Sequence, residues 1–269
     1  MNKIRTTPEP TAERMKKYLL EGKRFDGRGL EEYRDLIIEK NVSVKAEGSV
    51  KVTLGKTQVV AGVKMSVVEP YGDSPTKGNL MVTAELSPLS SRRFEAGPPR
   101  FNAIELGRVT DRGLRESGFI DFDKLCIKEG EKVWNIFVDI YSLNDDGNLM
   151  DAATIAAIAA LKIAKIPEYD EKTDKINYEK LTDKNIPLTD HVPIAVSVHK
   201  LGKSLIVDPT REEEDVSEAR VTIGSSNGTI SSLQKSNSAG IPIEEMKKIF
   251  EISTKISKEI FEKLEKSIK

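Results

Sequence analysis

The sequence predicts a mixed α/β (α+β) fold of two similar halves, each a meander of strands followed by a helix. Apolar and polar residues alternate with a period of two from Asn41 to Val68, and strands resume at Pro193. Apolar residues recur at helical spacing over Phe101–Ser117 and Pro242–Ile268, which follow these two groups of strands. We expect a single domain with halves at roughly residues 30–125 and 130–269.

The elements of the first half follow from local patterns. Residues 10–22 have apolar residues at i, i+3 and i+7 spacing, which predicts an amphipathic helix. Residues 41–68 predict an antiparallel meander, and a loop rich in proline and glycine at 69–78 separates it from a further strand at Met81–Leu86. The helix over Phe101–Ser117 completes this half.

The second half begins with Val133–Tyr141, whose alternation predicts a strand with one strongly apolar face. Asp151–Lys165 predicts a helix that is apolar on nearly all sides and therefore central. Asp170–Asn185 is charged and nearly free of aliphatic residues, which indicates a surface excursion. Further strands are predicted at Pro193–His199, Ser204–Asp208, Val221–Ile223 and Thr229–Ser231, the last two joined by a hairpin at Asn227-Gly228.

Length and charge limit the kinds of protein that this chain could be. It has 269 residues, of which 38% are apolar, enough for a sizeable core. Its 42 basic and 43 acidic residues leave a formal net charge of −1, so no global positive field attracts a polyanion or an anionic membrane. Any contact with nucleic acid must therefore come from a local patch.

Cysteine and histidine are too scarce for a disulfide scaffold or a zinc site. Cys126 is the single cysteine, and His191 and His199 are the only histidines. Met1–Pro10 lacks the apolar core of a signal peptide, and the most apolar stretch, Ala152–Ala164, is shorter than the roughly 20 residues of a membrane span. We therefore expect a cytoplasmic protein with no membrane segment, bound metal or cofactor.

The helix over Phe101–Ser117 carries a candidate binding surface opposite its apolar face. At roughly 100° per residue, Arg108, Arg112 and Arg115 fall within about 60° of one another. Their planar guanidinium groups could bind successive phosphates in a bidentate manner. The alternative is a solvated helix face, because three acidic residues lie close by in the same helix.

Three other polar clusters have competing interpretations. The acidic run from Asp208 to Asp215 directly follows a strand end and could hold Mg²⁺ or supply a general acid; the alternative is a solvated acidic loop. Gly224–Gly228 could cradle a phosphate, but it lacks the Lys-Ser or Lys-Thr of a P-loop, which favours a hairpin. No nucleophile motif accompanies His191 or His199, so both are assigned to structure.

Four short motifs occur in order along nearly the whole chain. They are Arg24-Phe25-Asp26-Gly27-Arg28, Gly48-Ser49-Val50-Lys51-Val52, Ile104-Glu105-Leu106-Gly107-Arg108 and Ile206-Val207-Asp208-Pro209-Thr210. Together they resemble the RNase PH-like subunits of the exosome, a phosphorolytic 3′-to-5′ RNA-degrading ring. The chain is most similar to the archaeal subunit that partners a catalytic paralogue. The resemblance implies a ribosomal-protein-S5-domain-2-like fold with two pseudo-repeated βαβ-type halves.

Departures from the family's catalytic pattern imply that this chain has no catalytic residues of its own. Catalytic members have a pair of arginines where Phe101 and Asn102 stand, and a phosphate-binding Gly-Thr-Arg-Ser loop where Gly147–Asp151 stands. Without those cations and donors, the repulsion between phosphate and phosphodiester is not compensated. Of the family's two carboxylates, Asp208 is retained, and the second is Glu214 instead of aspartate.

The resemblance therefore implies a non-catalytic subunit of a hexameric ring of three heterodimers. In such a ring the catalytic paralogue degrades RNA, and separate cap subunits bind RNA. The resemblance places Arg108 and Arg112, with Arg115 on the same stripe, beside the path of single-stranded RNA at the interface with the paralogue. Two alternatives stay open: a self-sufficient phosphorolytic exoribonuclease, and a pure scaffold whose arginines form salt bridges between proteins.

Overall fold

The chain forms five α-helices and twelve strands over residues 6–268, the part that this computed structural model describes. Residues 1–5, which belong to the Met1–Pro10 stretch considered above, and Lys269 lie outside the described residues. In chain order the elements are α1 (Glu9–Leu20), β1 (Leu36–Lys40), β2 (Gly48–Leu54), β3 (Thr57–Val68), β4 (Asn79–Leu86), α2 (Phe101–Glu116), a 3₁₀ turn (Asp123–Leu125), β5 (Cys126–Lys128), β6 (Lys132–Asn144), α3 (Leu149–Ile163), β7 (Lys165–Asp170), β8 (Lys175–Asn185), β9 (Ile194–Leu201), β10 (Ser204–Val207), α4 (Arg211–Val216), β11 (Ala219–Ser226), β12 (Thr229–Ser236) and α5 (Ile243–Ile268).

A six-stranded sheet forms one side of the core. Its strands lie in the order β1-β2-β3-β6-β4, and β5 pairs with β6. Every pair is antiparallel except β4 with β6. Along β3, every second residue from Thr57 to Met65 is buried, so the period-two pattern of the sequence is also the burial pattern of the strand. Helix α2 packs against β4 at one edge.

Helix α3 contacts both main sheets and lies at the centre of the core. The second sheet is antiparallel throughout, in the order β10-β9-β11-β12. Helix α3 contacts β2 and β3 of the larger sheet and β9 of the second, and every residue from Met150 to Leu161 is buried. The prediction of a central helix at Asp151–Lys165 is confirmed, with both ends two residues earlier.

The predicted fold class and the other three long helices are also confirmed. The predictions at 10–22, 101–117 and 242–268 correspond to α1, α2 and α5, with ends that differ by at most two residues. No helix among residues 6–268 is long and apolar enough to cross a membrane. The division into halves at 30–125 and 130–269 stays a prediction; strand β6, from beyond residue 130, pairs with β3 and β4.

The start of the predicted meander is wrong. Strand β1 precedes it, and residues 41–47 form a loop in which Val44 is 94% exposed. Asn41 ends β1 in the left-handed region, with φ of 57°, and the backbone nitrogen of Ser43 donates to Ser49 Oγ at 2.8 Å. Alternating valines therefore stand in a loop that polar contacts hold against β2, outside any ladder of backbone hydrogen bonds.

The charged segment Asp170–Asn185 lies on the surface, as predicted, but most of it forms a β-strand. Strand β8 pairs with β7 as a separate two-stranded sheet, and most of its side chains are exposed. A strand that stands away from the core needs no apolar face, so its sequence carries little hydrophobic alternation.

Candidate functional site

Helix α2 presents Arg108 and Arg112 to solvent. Its apolar side, with Leu106 and Leu114 buried, faces β4 and β12. Arg108 is exposed on the opposite side and has no hydrogen bond or ion pair with any residue from 6 to 268. Arg112 is also exposed, and its Nη1 donates to Glu116 Oε1 at 2.9 Å. Such exposed pairs contribute little to stability, so an anionic ligand can compete with the carboxylate for Arg112.

Arg115 is held more firmly by the protein itself. Its Nη2 donates to Asp111 Oδ1 at 2.7 Å and to the backbone carbonyl of Leu80 at 2.9 Å. Its guanidinium group lies 6.0 Å from the centre of the Phe122 ring. The hydrogen bond to Asp111 raises the pKa of Arg115 above its usual value. The three arginines share one side of α2, but Arg115 also anchors the helix to β4.

Asp208, which the resemblance matches to a family carboxylate, is fully buried and surrounded by donors. Its Oδ1 accepts from Arg34 Nη2 at 2.7 Å and from Asn148 Nδ2 at 2.9 Å. Its Oδ2 accepts from Arg28 Nη1 at 2.9 Å and from the backbone nitrogen of Arg34 at 2.8 Å. Burial raises the pKa of Asp208, but hydrogen bonds and the charge of Arg34 outweigh burial and hold it below its usual value. A carboxylate kept ionised by fixed partners is poorly suited to general acid catalysis.

Two of the sequence motifs meet at this carboxylate. Arg28 binds Asp208 directly, whereas Arg24 donates to the carbonyl oxygens of Val207 at 3.0 Å and Asp208 at 2.8 Å. Arg24 is buried and also pairs with the buried carboxylate of Glu213. The motif at residues 24–28 therefore fixes the position of the segment that follows β10 through hydrogen bonds from Arg24 and Arg28.

Most of the acidic run lies in a helix and not in the solvated loop that was one of its two interpretations. Residues from Arg211 to Val216 form α4, whose N-cap is Thr210. Thr210 Oγ1 accepts from the backbone nitrogen of Glu213, and the Glu213 carboxylate accepts from the backbone nitrogen of Thr210 at 2.8 Å. This capping box is visible in the sequence as Thr-x-x-Glu and could have predicted the helix. No group of three His, Cys, Asp or Glu side chains within residues 6–268 is placed to hold a metal ion.

The segment Gly147–Asp151, for which the resemblance implies a departure from a phosphate-binding loop, begins with a tightly packed backbone. Gly147 has a φ of +89°, and a Cβ added there would lie 2.4 Å from the carbonyl oxygen of Pro209. The carbonyl oxygen of Gly147 accepts from Thr57 Oγ1 at 2.6 Å and from Arg34 Nη2 at 3.1 Å. The backbone is therefore packed tightly against the segment that follows β10.

Two buried carboxylates share the side-chain amide of Asn148 at the start of α3. Asn148 Nδ2 donates to Asp208 and, at 3.1 Å, to Asp151 in the first turn of α3. Asp151 Oδ2 also accepts from the hydroxyl of Tyr33 and, at 3.1 Å, from the backbone nitrogen of Ser197. Burial raises the pKa of Asp151. Donors that could stabilise an incoming anion are thus already bound to the chain's own carboxylates.

The cavity beside this carboxylate site has a volume of about 760 Å³ and a net acidic lining. Its basic residues are Arg28, Arg34, Lys56 and Arg211, and its acidic residues are Asp26, Glu32, Asp35, Asp146, Glu212 and Glu213. An excess of negative charge disfavours the approach of phosphate to the site.

Asp215 ties the N-terminal segment and the loop before α2 to helix α4. Its Oδ2 accepts from Thr6 Oγ1 at 2.6 Å and pairs with Arg93, and its Oδ1 accepts from Arg211 Nη2 at 2.8 Å. Arg211 also pairs with Glu214 at 2.7 Å, so the residue that the resemblance matches to the second family carboxylate is part of the same network. Burial raises the pKa of Asp215, but hydrogen bonds from Arg93 and Arg211 outweigh burial and hold it well below its usual value.

Replacement of Asp215 by asparagine is expected to destabilise the fold in a pH-dependent way. Because the folded-state pKa of Asp215 lies below its usual value of 3.8, the carboxylate stabilises the fold above about pH 4. That contribution is lost as the pH falls towards the folded-state pKa. Urea unfolding of both proteins between about pH 3 and pH 6 should show a difference in unfolding free energy that shrinks below about pH 4. A difference that stays constant over this range would contradict the role of Asp215.

The remaining candidates occupy structural positions. His199 lies buried in β9, with Nδ1 3.0 Å from Ser217 Oγ, and His191 is exposed before that strand. Gly224–Gly228 spans the end of β11 and the turn to β12, so the predicted hairpin is confirmed. No local signal in the sequence marked Arg34 or Tyr33, whose partners lie far away along the chain.

Comparisons with known proteins identify a family and several similar proteins for this chain. Residues 32–167 match domain 1 of the 3′ exoribonuclease family, and residues 191–256 match its domain 2. The exosome complex component Rrp42 of Methanosarcina acetivorans is 48% identical over 219 residues, which cover 81% of this chain and 79% of that protein. The protein of the same name from Thermococcus onnurineus is 47% identical over 250 residues, 91% of each chain.

A solved exosome structure also contains a chain similar to this one. A chain in the Archaeoglobus fulgidus exosome with RNA bound to the active site is 43% identical, with a TM-score of 0.86, and the match covers 94% of this chain and 96% of that chain. The RNase PH-like fold that the four motifs imply is thereby confirmed. This chain belongs to the RNase PH-like 3′ exoribonuclease family.

Proposed function

We propose that this chain is a non-catalytic subunit of an archaeal exosome. It alternates with a catalytic RNase PH-like paralogue in a hexameric ring of three heterodimers, which carries RNA-binding cap subunits. The ring works in the cytoplasm and degrades RNA from the 3′ end by phosphorolysis. Support for the exosome comes from the archaeal relatives, which are exosome components at 47–48% identity.

The observation that carries the non-catalytic assignment is that the chain's own donors already bind the carboxylates of Asp208 and Asp151. We call this arrangement the self-filled pocket. The donors at the start of α3 are bound to Asp208 and Asp151, and no basic side chain stands at Phe101 or Asn102. Phosphorolysis needs a dianionic nucleophile beside an anionic phosphodiester, so it requires cations that are free to bind them, whereas Arg28 and Arg34 here are paired with Asp208.

The RNA-binding role rests on α2. We propose that Arg108 and Arg112 bind consecutive phosphates of single-stranded RNA, since they lie one helical turn apart on the exposed side. Arg115 contributes to RNA binding through its Nη1 atom, which has no hydrogen-bond partner among residues 6–268. Phosphate contacts hold the strand without selecting its base sequence.

Charge reversal of Arg108 and Arg112 is expected to weaken RNA binding and flatten its salt dependence. Each phosphate contact with single-stranded nucleic acid contributes roughly 0.7 to the slope of log affinity against log salt. At 0.1 M salt, relative to 1 M, this corresponds to about fivefold in affinity per contact, or about 25-fold for both. Fluorescence anisotropy with oligo(A) and oligo(U), for the ring reconstituted with Arg108→Glu/Arg112→Glu, measures both quantities.

The matched control is Lys172→Glu/Lys175→Glu, which changes the net charge equally at the exposed β7–β8 turn. We expect the control ring to keep wild-type affinity and salt slope, and both variants to form the hexamer. A normally assembled Arg108→Glu/Arg112→Glu ring with unchanged affinity and slope would contradict the RNA-binding role.

Two other functions compete with this proposal. A pure scaffold would use the arginines in contacts with the paralogue, so charge reversal would break assembly and leave no separate effect on RNA. A self-sufficient exoribonuclease would shorten RNA without the paralogue when phosphate is present. The self-filled pocket disfavours the second of these.

A further inference from the structure

Phe101 is an exposed aromatic side chain at the start of the arginine-bearing face of α2. It is 62% exposed, the highest value for any phenylalanine among residues 6–268. The ring has no contact with another aromatic ring or a cation in the described part of the chain. By contrast, exposed Phe25 packs edge-on against Tyr18, with Arg14 nearby.

Helix geometry aligns this ring with the two solvent-facing arginines. Arg108 follows Phe101 by seven residues and Arg112 by eleven, so all three side chains leave the helix within about 40° of one another. The rise of 1.5 Å per residue places Arg108 about 10 Å further along the axis. Ile104, half exposed, lies on the same side between the ring and Arg108. The helix thus presents an apolar and aromatic end followed by cations.

This order of groups matches the chemistry of a single-stranded nucleic acid. Proteins that bind such strands combine aromatic side chains, on which bases stack, with cations along the phosphate backbone. Stacking tolerates any base, because every base has a π-face. An apolar protein partner would bury Phe101 and Ile104 but would have no need for exposed cations in line with them.

We propose that Phe101 stacks on a nucleobase of the single-stranded RNA whose phosphates Arg108 and Arg112 bind. The inference rests on the proposed RNA-binding role of α2 and adds a contact to the base. The residue that stands in place of a family arginine thereby serves as a stacking platform for RNA.

The test uses the reconstituted ring and oligo(A) with 2-aminopurine at single positions, because fluorescence of this analogue is quenched on stacking. For Phe101→Ala and Phe101→Leu we expect affinity to fall by about fivefold or more, the lower end for loss of one stacked base. Phe101→Trp should keep wild-type affinity. All three variants should keep the wild-type salt slope, since no phosphate contact is lost. Quenching at one position should disappear in the alanine and leucine variants and persist in the tryptophan variant.

Two controls separate this inference from the proposed function. Tyr178→Ala removes an exposed aromatic side chain on strand β8, far along the chain from α2, and should leave binding and quenching unchanged. An abasic residue at the quenched position should weaken wild-type binding as much as Phe101→Ala does. In the alanine variant, the abasic residue should cause no further loss of affinity.

Three results would overturn the inference. In the first, Phe101→Ala binds RNA like the wild type while Arg108→Glu/Arg112→Glu binds weakly, so the arginine role survives without stacking. In the second, Phe101→Leu keeps full affinity and quenching, so only apolar bulk matters. In the third, the alanine and leucine variants both fail to join the ring while tryptophan succeeds, so the ring of Phe101 contacts the paralogue.

Discussion

The isolated chain is expected to leave a poly(A) substrate intact in the presence of inorganic phosphate, whereas the ring reconstituted with the catalytic paralogue shortens it. The physical reason is that the positive charge at this site is already paired, since Asp208 binds Arg28 and Arg34, and the amide of Asn148 donates to Asp208 and Asp151. Without cations free to bind them, two anions must approach each other in a site of low dielectric constant. We therefore expect a difference between ring and isolated chain of several orders of magnitude in rate.

Gel electrophoresis of end-labelled RNA, with and without phosphate, measures this difference. Release of nucleoside diphosphates identifies phosphorolysis and distinguishes it from contaminating hydrolases. The matched control is the paralogue alone at the same concentration, which shows how much activity depends on assembly. Phosphate-dependent shortening by the purified chain on its own would contradict the non-catalytic assignment and favour the self-sufficient exoribonuclease.

Replacement of Asp208 by asparagine is expected to lower the free energy of unfolding by about 3–5 kcal/mol, the usual cost of breaking a buried ion pair. The variant leaves Arg28 and Arg34 without their shared carboxylate and turns an amide N–H donor towards groups that are themselves donors. Because the carboxylate serves structure and not proton transfer, turnover per assembled ring should stay near the wild-type value. Urea unfolding measures the stability, and RNA decay by the purified ring measures the turnover.

The control for this change is Asp174→Asn, which removes the same charge from a pair with Lys132 whose carboxylate is 62% exposed. Exposed ion pairs contribute little to the free energy of unfolding, so the stability of Asp174→Asn should stay close to that of the wild type. A loss of two or more orders of magnitude in turnover for a folded and assembled Asp208→Asn ring would show that this carboxylate is catalytic.

The elements that could be predicted from sequence are those whose burial repeats with a local period. Helix α2 was predictable because Leu106 and Leu114 recur on one side and Arg108 and Arg112 on the other. Strand β8 shows the limit of this signal, since a strand that faces water on most of its surface has little apolar alternation. Val44 shows the opposite failure of this signal. The alternation of apolar and polar residues includes Val44, which is exposed in the loop between β1 and β2.

The sequence by itself determined the mixed α/β class, the central helix α3, the family motifs and the arginine-bearing side of α2. Only the tertiary structure decided how the charges pair. Asp208 binds Arg34, 174 residues away in the chain, and Asn148, 60 residues away, and Arg115 reaches back to Leu80. Periodicity acts over a few residues, whereas an ion pair depends on which distant segments the sheets bring together. For that reason a solvated acidic loop was one interpretation of the acidic run, whereas in the folded chain Asp208, Glu213 and Asp215 are buried and bind distant arginines.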